Sequence, residues 1–132
     1  MESKGEEAEQ VGSAAALQGD DEMFLQYREV GCLMHRGFTI QDAMHQCFSN
    51  AQDKGKGRQM PIHYGSAALH VQTVSSPLGT QLPQAAGAGH AMRLKGDGRV
   101  AAVYFGEGAA SEGDAHAALN FAATLGSRTL FF

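Results

Sequence analysis

Apolar positions along this chain follow two patterns. Spacings of three and four residues predict helices, and short unbroken apolar runs predict buried strands. Residues 7–17, with AEQVGSAAAL, are rich in small side chains and fit a short, closely packing helix, which Gly19-Asp20-Asp21 breaks. Residues 1–7 before it are polar and read as a frayed start. MFLQY, at 23–27, is a short apolar piece. REVGCLMHRG then fits a helix with Val30, Leu33 and Met34 on one face, stopped by Gly37. Thr39 opens the next helix as N-cap, with the acid Asp42 three residues on, and the helix runs to about Phe48. Residues 49–66 form a long loop of the kind that is functional or disordered. HVQTV, at 70–74, reads as a strand and SSPLGTQ as a turn. A helix covers 80–94, with Pro83 tolerated in its first turn.

The clearest unit follows the turn Gly96-Asp97-Gly98. Residues 99–105 are a buried strand, 106–111 a loop, 112–125 a helix with Ser111 as N-cap and Asp114 at its third position, and 129–132 a second strand. Strand, loop, helix, strand in this spacing is a βαβ crossover. It predicts an α/β protein with a parallel sheet and flanking helices. Ligands in such sheets sit at the carboxyl ends of the strands, and YFGEG is such an end. The chain stops at TLFF, inside what reads as a buried strand. This predicts a fragment, truncated at the C-terminus and at the N-terminus as well.

Composition narrows the class. The 132 residues suit one domain; 43% hydrophobic and 18% charged content fit a globular chain. A net charge of -4 and ten scattered basic residues argue against nucleic acid or an anionic membrane as partner. The longest apolar stretch is far short of the roughly 18 residues of a membrane span. The acidic MESKGEEAEQ is the opposite of a transit peptide. Cys32 and Cys47 lie inside apolar segments and read as two reduced, core or near-core thiols.

The loop in YFGEGAASEGDAH carries the candidate chemistry. Gly106, Gly108 and Gly113 have the wrong spacing for a dinucleotide fingerprint, and Asp114 stands where a Walker loop needs lysine. A carboxylate beside a diphosphate repels it unless a divalent cation lies between them, as Mg²⁺ does. Glu107 at the strand end suits that role, with Gly108 and Ala109 leaving room for a diphosphate against backbone N–H groups. A solvated loop acid remains an equal reading of Glu107. Ser111, Glu112 and Asp114 read better as an ordinary helix start.

Longer blocks carry a resemblance. GEEAEQVGSAAAL, QYREVG, GKGRQMPIHYG, TVSSPLGTQLPQAAGAGHA and YFGEGAASEGDAHAALNFAATL occur in order and cover nearly all of residues 5–132. In these the chain resembles the alpha subunits of the thiamine-diphosphate-dependent 2-oxo acid dehydrogenases. GEGAASEGD and GKGRQMP point to the branched-chain branch. The resemblance implies a thiamine-diphosphate-binding fold, incomplete here, with residues 1–132 as part of one such domain. Tyr27, Arg28, Ser76, Leu78, Gly108 and Ala109 would contact thiamine diphosphate, with Arg28 on the diphosphate and Ser76 and Leu78 near the aminopyrimidine. Glu107 would hold Mg²⁺. Ser75, Pro77 through its carbonyl, Thr80 and Gln81 would hold K⁺. Read from the residues alone, Tyr27 is core packing, Arg28 a surface cation and SSPLGTQ a proline turn. His63 faces the site but reads as a core or solvated histidine, and His116 as a helix-surface residue.

The implied activity is decarboxylation of a branched-chain 2-oxo acid and transfer of the acyl group to a lipoyl group on the acyltransferase core. A beta subunit would complete each site in an α2β2 assembly, in the mitochondrial matrix of a eukaryote or the cytoplasm of a bacterium. A pyruvate- or acetoin-type relative and a truncated, non-catalytic chain stay open as alternatives. The family completes its metal site with an asparagine and a tyrosine beyond the last strand, and neither is in this chain. These 132 residues alone are therefore expected to bind thiamine diphosphate and Mg²⁺ weakly or not at all.

Overall fold

The computed structural model describes residues 3–132. Met1 and Glu2, part of the stretch read as frayed, lie outside the described residues. Ser3 to Glu6 make turns rather than fray: the Ser3 hydroxyl donates to the Arg28 carbonyl, and helix α1 (Glu7–Ala16) follows.

Four strands form one parallel sheet among the described residues: β1 (Glu22–Phe24), β2 (Val71–Gln72), β3 (Ala101–Val103) and β4 (Thr129–Phe131), in the order β2-β1-β3-β4. Met23 pairs with Val71 on one side and Ala102 on the other, and Ala102 pairs with Leu130. The apolar piece 23–27 is therefore a central strand. It is apolar at successive positions because both of its faces are covered. Met23 and Leu25 pack with Ala102 and Tyr104 on one face, against Ala14 of α1 and Cys32 and Leu33 of α2 (Val30–His35). Phe24 packs with Ala101 and Val103 on the other, against α4 (Gln81–Lys95) and α6 (Gly113–Leu125). This two-residue alternation is the side-chain period of a strand. Met23, Leu82 and Val103 are among the largest side chains fully withdrawn from water. Each such burial contributes about 1.5–3 kcal/mol.

Several expectations need correction. In α2 the buried pair is Cys32 and Leu33, while Val30 and Met34 are exposed. The helix has only six residues, so its inward face is one narrow patch set by docking, not by an extended stripe. In α3 (Ile40–Cys47) the buried residue is Gln46, which turns Cys47 outward. Both thiols are free as expected, but only Cys32 is in the core. Burial pushes its thiol up to about 11. The Thr39 cap holds: Thr39 Oγ1 accepts from the Asp42 N–H at 3.1 Å, and the Thr39 N–H donates back to the Asp42 carboxylate at 2.9 Å.

Helix α4 lies close to the sheet because Gly89 has no side chain. A Cβ there would collide with the Thr129 hydroxyl, Ser127 Oγ (2.5 Å) and the Arg128 carbonyl (2.7 Å). Ser127 and Thr129 instead donate to the carbonyls of Ala86 and Ala85, stitching α4 to the entry of β4. Pro83 sits in the first turn of α4, where its missing N–H costs no helical bond.

Candidate functional site

The sheet order creates the site. From β1 the chain crosses to β2 on one side, and from β3 it crosses to β4 on the other. The carboxyl ends of β1 and β3 therefore diverge, which is where open α/β sheets form a ligand crevice. Tyr104 N–H donates to the Phe24 carbonyl at 2.9 Å, the last link between the two strands before they part. Beyond it, β1 leads to Tyr27 and Arg28, and β3 leads to Gly106 and Glu107.

The loop after β3 is not the one expected. Gly106 is extended, and Glu107–Ala110 form a single helical turn, α5. Ser111 ends α5 instead of capping α6. Glu112 takes the N-cap position of α6 with extended backbone and no side-chain cap, which makes Asp114 the second helical residue, not the third. The small residues of EGAA wrap a turn as readily as a loop, and the extended backbone of Glu112 then resets the chain direction.

Arg28 reaches across the crevice. Its Nη2 lies 2.9 Å from where a Cβ on Gly106 would stand, so only glycine leaves this space to the guanidinium. Its Nε sits 3.4 Å from Glu6 and 3.8 Å from Glu29 in ion pairs, yet it is buried and makes no hydrogen bond among the described residues. The guanidinium lies 5.7 Å from the Tyr27 ring centroid, and Tyr27 also packs on the core. Arg28 is thus held at the crevice wall, not free on the surface. Glu29 is buried beside it and accepts from the Gln26 N–H (2.9 Å) and side-chain amide (2.8 Å). Burial raises the pKa of its carboxyl, against the pull of these bonds. Together with Phe105 and Tyr104 these residues line a small cleft of about 80 Å³.

Glu107 and Gly108 are exposed on α5, while Ala109 is buried and offers only its backbone. Among the described residues no group of three histidine, cysteine, aspartate or glutamate side chains could hold a metal ion.

The turn after β2 is built differently. Ser75 Oγ lies 2.6 Å from Thr80 Oγ1, and Thr80 Oγ1 donates to the Pro77 carbonyl at 3.0 Å. Three oxygens of the four residues assigned to K⁺ are therefore gathered together. The fourth, Gln81, is buried and donates its amide nitrogen to the Tyr104 carbonyl at 3.0 Å, which leaves its side-chain oxygen over. Gly79 touches the other loop: a Cβ there would stand 3.3 Å from the Glu112 Cβ and 3.6 Å from the Ala109 carbonyl. Ser76 and Leu78 are exposed at the same edge. Ser76 Oγ lies 2.6 Å from His63 Nε2. His63 is partly buried and so belongs to this cluster, whereas His116 is on the exposed face of α6.

Glu29, Gln26 and the His63–Ser76 pair were not legible in the sequence, because each depends on a contact between segments or on an unremarkable polar residue turning inward. A larger cavity of about 490 Å³ lies elsewhere, between α3, the 53–66 segment and β2, and His63 lines its near end. The crevice between the diverging ends of β1 and β3, and not this larger cavity, holds Arg28 and Gly106.

The chain matches the family described as "Dehydrogenase E1 component" over residues 1–132. It is 60% identical over 132 residues to the 2-oxoisovalerate dehydrogenase subunit alpha, mitochondrial, of Dictyostelium discoideum. It is 57% identical over 133 residues to that of Caenorhabditis elegans and 56% identical over 132 residues to that of Homo sapiens. Each match covers 100% of this chain, which spans only 30 or 31% of the length of these relatives. With a parallel sheet, a crevice at the switch point and a family match across its whole length, the chain belongs to the dehydrogenase E1 component family.

Proposed function

We propose that this chain is the cofactor-holding part of an alpha subunit that decarboxylates branched-chain 2-oxo acids with thiamine diphosphate and passes the acyl group to lipoyl groups of an acyltransferase. One observation supports the geometry most directly: the partly buried Arg28 guanidinium stands over the bare backbone of Gly106, and the next residue along the chain is the exposed carboxylate Glu107. A diphosphate–Mg²⁺ pair needs that combination, a cation and N–H groups for the phosphate oxygens and an acid for the metal. Arg28 Nε makes no hydrogen bond among the described residues, only longer ion pairs with Glu6 and Glu29, which leaves it able to take an anion's oxygen.

Thiamine diphosphate, when bound, supplies the carbanion and the electron sink for decarboxylation. The residues of this chain bind and orient it. Arg28 neutralises diphosphate charge, and Gly108 and the Ala109 backbone let it approach. Glu107 contributes one Mg²⁺ ligand. Ser75, Pro77, Thr80 and Gln81 offer oxygens to K⁺, which would replace the hydroxyl-to-hydroxyl bond now closing the turn. Ser76, Leu78 and Tyr27 complete the contacts. The remaining metal ligands come from outside these residues, and a beta subunit in an α2β2 assembly completes the site. The names of the relatives state 2-oxoisovalerate and the mitochondrion, which favours the branched-chain reading over a pyruvate or acetoin one, and the matrix as location.

The test is turnover by the full-length subunit with its beta partner. Release of CO₂ from 2-oxoisovalerate, dependent on thiamine diphosphate and Mg²⁺, is expected. Turnover of pyruvate with none of 2-oxoisovalerate would transfer the chain to the alternative. Calorimetry on residues 1–132 alone is expected to show weak or absent cofactor binding, and micromolar affinity would contradict the division of the metal site.

A further inference from the structure

His63 has no role in the account so far, yet the structure takes trouble to place it. Its Nδ1 lies 3.1 Å from the Pro61 carbonyl and its Nε2 lies 2.6 Å from Ser76 Oγ. A carbonyl can only accept, so the neutral ring carries its proton on Nδ1 and offers Nε2 as an acceptor. The Ser76 hydroxyl therefore donates its proton to His63. A hydroxyl has a single proton. Once that proton is committed, Ser76 meets anything else with lone pairs alone.

The segment that holds His63 is strained and clamped. Ile62 has φ of 68°, a left-handed conformation that a β-branched side chain rarely adopts. Such strain persists only where the surroundings enforce it, and it gathers at functional sites. Here the enforcing group is Gln46, which is 3% exposed. Its amide nitrogen donates to the Met60 carbonyl at 2.6 Å and its oxygen accepts from the Ile62 N–H at 3.0 Å. The His63 N–H closes the turn onto the Met60 carbonyl at 3.1 Å. On the other side, the Ser75–Thr80–Pro77 bonds fix the turn that carries Ser76. Both partners of the pair are thus held from behind, and the hydroxyl proton has one destination.

We propose that His63 is a positioning and specificity-determining residue, which fixes the Ser76 proton so that Ser76 presents only acceptor lone pairs to a ring bearing an N–H donor. The inference rests on the reading that Ser76 faces the aminopyrimidine of the cofactor. It makes the pair a selector for an amino group over a carbonyl at that place on the ring.

The experiment uses the full-length subunit assembled with its beta partner. Dissociation constants are measured by calorimetry for thiamine diphosphate and for its 4′-oxo analogue, oxythiamine diphosphate. The wild type is expected to prefer the amino form. In His63→Ala the freed hydroxyl can donate to the carbonyl, so the preference narrows by up to about tenfold, the scale of one hydrogen bond. His63→Gln, whose amide oxygen can accept, restores the ratio. Ser76→Ala narrows it equally, and adding His63→Ala to that variant changes nothing further. A merely structural latch would weaken both ligands alike, so an unchanged ratio in His63→Ala overturns the inference while leaving cofactor binding intact. Failure of the wild type to bind thiamine diphosphate overturns the underlying reading, and the inference with it. Should His63→Ala not fold, ¹⁵N NMR of wild-type His63 decides: an Nδ1–H tautomer supports the pair, and an Nε2–H tautomer sinks it.

Discussion

The turn after β2 and the loop after β3 sit at the ends of the two strands that flank β1, touch at Gly79, and are prepared to opposite degrees. In the turn nearly every polar side chain already has a partner: Ser75 with Thr80, Thr80 with Pro77, Ser76 with His63, and the Gln81 amide nitrogen with Tyr104. In the loop, Glu107 is exposed, and among the described residues no hydrogen bond holds its carboxylate. The lesson concerns where ordering cost falls. The turn is ordered as the protein folds, by bonds within it. Under the proposed function the loop acid would gain its partner only on metal binding, so its ordering would be coupled to binding.

Four substitutions test that contrast, from the largest effect to the smallest. Glu107→Gln in the assembled enzyme is expected to weaken Mg²⁺-dependent cofactor binding by at least about a hundredfold, the upper end of what even indirect metal partners cost. Its unfolding free energy should stay within about 0.5 kcal/mol of wild type, because the side chain is exposed. Binding at wild-type affinity would break the comparison at its loop side. Gln81→Leu should do the reverse at first: it leaves the Tyr104 carbonyl unpaired and lowers stability by about 1–3 kcal/mol in urea unfolding. A stability loss near zero would mean that the turn is not braced by this bond.

Thr80→Val removes two hydrogen bonds of the turn and is expected to cost about 1 kcal/mol. Combined with Ser75→Ala it should cost less than the sum, since both remove the same bond; strict additivity would show that the two hydroxyls do not meet. Asp42→Asn is the control away from the crevice. It weakens the α3 cap by about 1 kcal/mol and should leave cofactor affinity unchanged. Asp42 also sets an acid limit. The Thr39 backbone N–H above all holds its carboxyl down at about 2. Since the folded value lies below the unfolded one of about 3.9, the contribution is present above that pH. It fades as pH falls from about 4 toward 2. The Asp42→Asn variant should lose that part of the acid dependence, measured as the unfolding midpoint against pH.

Much of this was legible in the chain itself. The βαβ unit could be read because residues 100–105 of the 99–105 strand are apolar or aromatic without a break and the 112–125 stretch has helical spacing, both local properties. The Thr39–Asp42 cap was readable for the same reason, since its partners are three residues apart. The short central strand β1 was not, because three residues show no period of their own, and only pairing with Val71 and Ala101 to Val103 makes them a strand. The inward faces of α2 and α3 escaped too: in helices of six and eight residues, docking chooses the buried patch.

For the site, local sequence was enough to say which residues stand near strand ends and which chemistry they carry: an acid between glycines at Glu107, a cation at Arg28, a run of oxygens from Ser75 to Gln81. Tertiary structure decided which of them meet. It brought Arg28 over Gly106 and His63 onto Ser76, across separations of 78 and 13 residues. The first meeting follows from the strand order β2-β1-β3-β4, which sets the ends of β1 and β3 side by side, and the second joins the segments before and after β2; sequence spacing carries no record of either.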